Sequence, residues 1–156
     1  MLEANEGFLE AGADLVLGHG SHNLQSCFAS PAGSTVFSIG NFVFNSPGRY
    51  KIYNAPPYSL IGRLSLGRSH SGWTGTLKLY PIVSDNRQTG YRPRPVKETE
   101  ALEVFQFLST GRKLDFDRAF ELQRDERGWY IARTTLLSRR FAHRSETAAR
   151  SLQDTP

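Results

Sequence analysis

Two histidines stand three residues apart in the segment DLVLGHGSHNLQS, positions 14–26. His19 and His22 are half of the four histidines in the chain, and Gly18 and Gly20 flank the first of them. A neutral imidazole is a good ligand for divalent transition metals, and a tight turn after a buried strand holds such ligands rigidly. Glycine lets the backbone pass close to a bound ion or phosphate. The pattern therefore makes His19 and His22 candidate metal ligands.

The same two histidines can instead be turn residues whose rings bond to the backbone. An H-x-x-H pattern is short and common, so it does not by itself select a metal site. Two imidazoles also do not complete the coordination sphere of Zn, Mn or Fe, which needs further protein ligands. The segment contains no pair of carboxylates that would supply them. The residues alone leave both interpretations open.

Composition limits the class of protein. A chain of 156 residues is expected to form one domain or a large part of one. Its net charge of +4 is compatible with nucleic acid or an anionic substrate and specifies neither. The single cysteine, Cys27, rules out an internal disulfide framework. No apolar run is long enough to span a bilayer and no signal peptide is apparent, so we expect a soluble chain.

The elements around the histidines follow the order helix, glycine, buried strand and polar turn, which is typical of an α/β layer. Residues 2–11 predict a short helix that ends at Gly12. Leu15 to Leu17 form a continuous apolar run, which is typical of a strand covered on both faces. We therefore expect strand 14–18 to lie inside a sheet. Residues 26–39 predict two strands joined by the turn Pro31–Ser34, and Gly40 marks a bend or an end.

The downstream part predicts a hairpin followed by helices and a further strand. Residues 58–83 alternate between apolar and polar side chains in two runs that glycines separate. Residues 97–109 predict a helix whose apolar stripe is Ala101, Leu102, Phe105 and Leu108. A second helix is predicted near 115–123, burying Phe116, Ala119 and Phe120, and a strand at 128–134.

Two linked motifs resemble the C-terminal part of the CapA family. These capsule and poly-γ-glutamate biosynthesis proteins belong to the calcineurin-like metallophosphoesterase superfamily. The family has a Gly-Ala-Asp apolar run, then G-H-x-P-H with Leu-Gln, and further on an S-[LI]-G-N-F-x-F strand. This chain has the corresponding residues at Gly12–Asp14, Gly18–His19, His22, Leu24–Gln25 and Ser38–Phe44. It departs from the family at Ser21, where proline is usual, and at Gly20, which is often a third histidine.

The resemblance implies the fold and the site. The fold would be α/β, the C-terminal portion of a metallophosphoesterase-like sandwich of two sheets flanked by helices. Residues 1–137 would form that portion. Residues 138–156 are rich in Arg and Ser and poor in apolar residues, so their composition predicts a basic, flexible tail. His19 and His22 would bind a divalent metal (Mn, Fe or Zn), and Gly18 and Asn41 would line the site. The family's other ligands come from upstream motifs that this sequence lacks, so the metal site in this chain is expected to be incomplete.

The resemblance also implies a role in capsule or poly-γ-glutamate production at the bacterial cell envelope. The partner would be an anionic polymer or a phosphate-containing substrate, and whether the chain is an enzyme stays open. The alternative is a non-catalytic envelope or assembly module that keeps the fold without metal chemistry. The chain alone is expected to lack a competent two-metal centre, and to self-associate or require a partner chain. No nucleic-acid partner is expected, because the arginines near the C-terminus lack the aromatic interleaving of such modules.

Overall fold

The computed structural model of the chain describes residues 7–30, 33–43, 49–70, 72–110, 116 and 119–137, with the backbone alone at 49, 69 and 134–137. These residues form helices and two β-sheets, one of three strands and one of five. The mixed α/β fold expected from the sequence is therefore confirmed. The expected tail at 138–156 lies outside the described residues. No helix in the described part of the chain is long and apolar enough to cross a membrane.

The small sheet carries the histidine turn. Its strands are β1 (Leu15–Leu17), β2 (Cys27–Ser30) and β3 (Gly33–Val36). The strand β3 is central and pairs in parallel with β1 and antiparallel with β2. Among the described strands β1 is therefore an edge strand, and its Leu17 is 45% exposed. The strand belongs to a sheet, as expected, and among the described strands it has a neighbour on one side only.

The large sheet is antiparallel and begins with the predicted hairpin. Its strands, in spatial order, are β4 (Tyr58–Ser69), β5 (Gly72–Val83), β8 (Gly128–Leu137) and β7 (Glu121–Asp125). A short strand, β6 (Arg94–Pro95), pairs with the end of β5. The hairpin is confirmed over its full length, since β4 and β5 pair from Tyr58–Val83 to Ser69–Gly72.

Three helices are described over their whole length: α1 (Arg49–Ile52), α2 (Asn86–Thr89) and α3 (Glu98–Leu108). Residues 7–10 are helical as well, within the helix predicted at 2–11. The helix α3 packs against β7 and β8. Its buried face is formed by Ala101, Val104 and Leu108, whereas Leu102 is 47% exposed. The prediction that Leu102 faces the core is therefore wrong. Positions 101, 104 and 108 repeat at the helical period, and position 102 is turned away from that stripe.

The predicted helix at 115–123 is only partly correct. Residues 116 and 119 are helical, and both Phe116 and Phe120 are fully buried as expected. Their rings stack with centroids 4.7 Å apart. The strand β7 begins at Glu121, however, so the helix ends earlier than predicted. The predicted burial of Phe116 and Phe120 is therefore correct, but residues 121–123 belong to a strand and not to the helix.

The two sheets share one hydrophobic core. Its buried side chains come from both sheets and from α3, and include Cys27, Ala29, Val36, Leu60, Leu77, Leu79, Val104, Leu108 and Ile131. Directly opposed residues of neighbouring strands share a face, so the pairs Leu64–Leu77 and Leu77–Arg133 lie on the inner face of the large sheet. An arginine thus occupies an inner position that would ordinarily hold an apolar residue.

Candidate functional site

The hairpin of β2 and β3 sets His22 opposite Asn41. The two strands pair with Ser30 against Gly33 and Cys27 against Val36, and the same register continues to an isolated bridge between Leu24 and Ile39. Two positions further outward, this register places residue 22 directly against residue 41. Side chains at directly opposed positions lie close enough to bond. The pairing of His22 with Asn41 therefore follows from strand register, although these residues are 19 apart in sequence.

The side chain of Asn41 makes two hydrogen bonds to His22. Its Nδ2 donates to the backbone oxygen of His22 at 3.0 Å, and its Oδ1 lies 3.0 Å from Nδ1 of the His22 ring. A backbone oxygen can only accept, so the amide nitrogen of Asn41 must face it, and Oδ1 must face the ring. The ring nitrogen Nδ1 then carries the proton and donates to Oδ1. This arrangement fixes the tautomer of His22 in which Nε2 holds the lone pair that a metal uses.

The backbone of His22 is held in a special conformation. Its φ is 64°, in the left-handed region that few residues other than glycine adopt. Histidine is among the side chains enriched there, and the bond from Asn41 to the His22 carbonyl stabilises this conformation. Asn41 itself is buried. One buried amide therefore orients both the backbone and the ring of His22.

The structure does not tie His19 to this pair. His19 is exposed, and within the described part of the chain no hydrogen bond joins it to His22 or Asn41. The expectation that both histidines face one shared polar pocket stays a prediction for His19. For His22, proximity to Asn41 is confirmed.

Gly18 is required by the packing of two strands. Its N–H donates to the oxygen of Val36 at 2.7 Å, and its oxygen accepts from the N–H of Ile39 at 3.2 Å. A Cβ atom at Gly18 would overlap the backbone carbonyl of Phe37. The absence of a side chain at Gly18 therefore lets the chain after β1 lie against the chain after β3. This contact brings the histidine turn next to the Gly40–Asn41 bend.

A cluster of three hydroxyl groups lies against the bend at Gly40. The Oγ atoms of Ser59 and Ser84 are 2.7 Å apart, and the hydroxyl of Tyr50 lies 2.6 Å from Ser84 Oγ. Gly40 has a φ of 74°, and a Cβ there would come within 2.5 Å of Ser59 Oγ. The backbone oxygen of Ile39 also accepts from the N–H of Leu60 at 2.8 Å. These contacts fasten the loop that carries Asn41 to the large sheet.

The donor set near His22 is small. Within the described residues, no group of three or more histidine, cysteine, aspartate or glutamate side chains is placed to hold a metal ion. Cys27 is buried, and burial raises the pKa of its thiol well above the ordinary value, so it stays protonated and is a poor ligand. A metal at His22 would therefore need ligands beyond this described set.

Two features of the structure were missed by sequence reasoning. The hydroxyls of Tyr50, Ser59 and Ser84 converge from separate elements, and no local pattern predicts that. Arg133 is different, because it stands two residues after Ile131 in an alternating strand. A charge at an inward position of such an alternation is a signal that could have been read from the sequence.

Comparison with models of known protein families gave no match, and comparison with curated protein sequences gave none either. The resemblance to the CapA family therefore rests on the two motifs at positions 12–25 and 38–44. It stays a prediction.

Proposed function

We propose that this chain is a CapA-like part of a metallophosphoesterase-type domain, and that His22 is one of its metal ligands. The observation that carries the proposal is the pair of hydrogen bonds between Asn41 and His22. Metal-binding histidines generally donate their second ring N–H to a carbonyl or carboxylate oxygen, which fixes the ring and makes the other nitrogen a better ligand. The bond from His22 Nδ1 to Asn41 Oδ1 has this form. Asn41 is then a positioning residue for His22.

The role of each residue follows from its surroundings. His22 would hold the metal through Nε2, and the exposed His19 is a second ligand candidate from the same turn. Gly18 keeps the turn against the chain that carries Asn41. A bound divalent metal supplies Lewis-acid chemistry that polarises a phosphoryl oxygen and activates water. The substrate class would be a phosphate-containing molecule or an anionic polymer, acting in capsule or poly-γ-glutamate production at the bacterial cell envelope.

Metal titration of the chain and its variants tests the proposal. We expect Mn²⁺ or Zn²⁺ affinity, measured by calorimetry and elemental analysis, to fall in His22→Ala and in His19→Ala. Removal of an outer-shell partner usually costs about 10–100-fold in metal affinity, so Asn41→Ala should weaken binding to that extent. The matched control is His70→Ala, because His70 is exposed in the turn between β4 and β5.

Ring NMR gives a readout that does not depend on activity. In the unmodified chain, Zn²⁺ should shift the His22 ring signals while the Nδ1 proton remains bonded. Unchanged metal affinity in both His22→Ala and His19→Ala would refute the ligand assignment. An equal loss in His70→Ala would show that the metal binds histidines non-specifically.

The second candidate is a non-catalytic envelope or assembly module that keeps the fold without metal chemistry. It is favoured by the small donor set among the described residues. In that case the Asn41–His22 pair serves to hold the turn in its strained conformation. The unmodified chain would then show no saturable metal binding, while Asn41→Ala would still lower its stability.

A further inference from the structure

A cavity of about 320 Å³ lies between the two sheets. It is lined by Gly12 to Leu15 at the start of β1, whereas the histidine turn follows the other end of that strand. Pockets that bind small ligands have volumes of roughly 300–1,000 Å³, and this cavity lies at the lower end of that range. It is therefore separate from the proposed metal site and large enough for a small molecule.

The strands that line the cavity contribute mostly apolar side chains and two polar ones, Ser34 and Arg133. The small sheet contributes Leu15 and its strand partner Ser34. The large sheet contributes Leu64, Leu77 and Arg133, which are neighbours across β4, β5 and β8. Gly75, also in the lining, adds no side chain to the large-sheet wall and so leaves room there.

The hydroxyl of Ser34 has no hydrogen-bond partner among the described residues. Ser34 is 1% exposed, and its Oγ is fully buried. Buried hydroxyls nearly always have a partner, so one without a partner requires an explanation. Because Ser34 also lines the cavity, a polar group of a bound molecule would supply that partner.

Arg133 places a positive charge in the layer between the sheets. Its guanidinium is half-buried, lies 5.5 Å from the centre of the Phe120 ring, and has Nη2 3.5 Å from the backbone oxygen of Ser30. Burial lowers the pKa of this guanidinium below its ordinary value, because removal from water destabilises the charge. A carboxylate stabilises such a charge, and the planar fork of arginine matches its two oxygens.

We propose that this cavity binds a small amphipathic carboxylate. The apolar chain lies among Leu15, Leu64 and Leu77, and the carboxylate lies between Arg133 and the Ser34 hydroxyl. The exposed side chains of Leu64 and Leu66 on the inner face mark the entrance. Exposed apolar residues beside a cavity are typical of a binding site rather than of a closed core.

Asp14 also lines the cavity, in the bend directly before β1. Its backbone oxygen accepts from the N–H of Ser34 at 3.1 Å. This bond places the backbone of Asp14 against Ser34.

Binding of octanoate and octan-1-ol to the full chain, measured by calorimetry and NMR, tests the proposal. We expect saturable one-to-one binding of octanoate, and binding of octan-1-ol weaker by about tenfold or more, because hydrogen bonds to charged groups are stronger than neutral ones. From hexanoate to octanoate, each added methylene should tighten binding about fourfold. Equal affinity for octanoate and octan-1-ol, or no saturable binding, would overturn the proposal.

Two matched pairs of variants locate the site. Arg133→Gln should weaken octanoate binding about tenfold, to the level of octan-1-ol, whereas Arg63→Gln, on the outer face of β4, should leave it unchanged. Leu64→Trp should block the entrance and abolish binding, whereas Ile61→Trp, on the opposite face of the same strand and similarly exposed, should not. Octanoate binding that persists in Leu64→Trp would contradict the proposal. If Arg133→Gln fails to fold, the variants Leu64→Trp and Ile61→Trp and the comparison with octan-1-ol still test the proposal.

Discussion

The buried side-chain amide of Asn41 orients both the ring and the backbone of His22. Both ends of the Asn41 amide are used, one on the ring and one on the backbone of His22. Aspartate at position 41 would keep an acceptor for the ring and lose the donor for the carbonyl. Alanine would lose both. The two substitutions therefore separate orientation of the ring from support of the left-handed backbone.

At the same scale, Arg94 and Glu100 form an ion pair that was not predicted. Arg94 lies on the proline-rich connector at residues 91–95. Its guanidinium donates to both oxygens of Glu100, at 2.6 and 2.8 Å. Glu100 also accepts from the N–H of Lys97 at 2.7 Å, at the start of α3. These bonds join the connector to the first turn of the helix.

We expect the contribution of Glu100 to stability to depend on pH. The hydrogen bond from Arg94 lowers the pKa of Glu100 from 4.5 to about 2, and the bond from Lys97 N–H adds to this effect. A lowered folded-state pKa gives stability that is present above about pH 4.5 and lost as the pH falls towards 2. Glu100→Gln should therefore lower the free energy of unfolding by about 1 kcal/mol at neutral pH and by almost nothing near pH 2. The value at neutral pH is small because solvent screens this partly exposed pair.

Urea denaturation across this pH range measures that effect. Glu98→Gln is the control, because Glu98 is an exposed residue in the same turn of α3. A Glu100→Gln penalty that stays constant down to the lowest pH would contradict the assignment.

At the scale of elements, the junction after β1 depends on Gly18. Gly18→Ala should destabilise the fold by about 1–3 kcal/mol, because the added methyl group overlaps the carbonyl of Phe37 and forces two strands apart. Gly62→Ala is the matched control, since a Cβ there meets only Leu79 Cδ2, at 3.9 Å. Thermal and urea unfolding would measure both variants. Equal stability of the two would show that the junction can shift without cost.

The exposed edge of β1 has a consequence for association. Among the described strands β1 has a neighbour on one side only, and such an edge offers backbone groups for pairing beside the apolar surface of Leu17. We expect the chain to self-associate as its concentration rises, and Leu17→Lys to reduce this. The control is Leu102→Lys, because Leu102 is about equally exposed, at 47%, but lies on α3. Light scattering after gel filtration gives the measurement. If both variants reduce the association equally, or if neither does, the edge of β1 is not the surface through which the chain associates.

At the scale of the whole molecule, we expect the chain alone not to hydrolyse bis-p-nitrophenyl phosphate with Mn²⁺. Two metals about 4 Å apart require several protein ligands, and carboxylates above all, to offset their repulsion. The described residues place no such group around His22. The outcome that would overturn this expectation is metal-dependent turnover that disappears in His22→Ala and persists in His70→Ala.

Much of the fold could be predicted from the sequence because it depends on local pattern. Alternation predicts the β4–β5 hairpin, and helical periodicity predicts α3 and the burial of Ala101 and Leu108. The two strands around 31–32 and the bend at Gly40 follow from turn chemistry. Where a pattern changes type within a few residues, as at Glu121, the sequence alone placed the boundary wrongly.

The tertiary structure decided which residues from distant parts of the chain are in contact. Local pattern placed His22 and Asn41 in a turn and at a bend, but only the register of β2 on β3 sets the two side chains 3.0 Å apart. It likewise decided that β1 is an edge strand and that Ser34 and Arg133 face one cavity. Faces and periods are properties of neighbouring residues along the chain. Edges, registers and cavities depend on contacts between distant residues, and a sequence pattern does not encode those contacts locally.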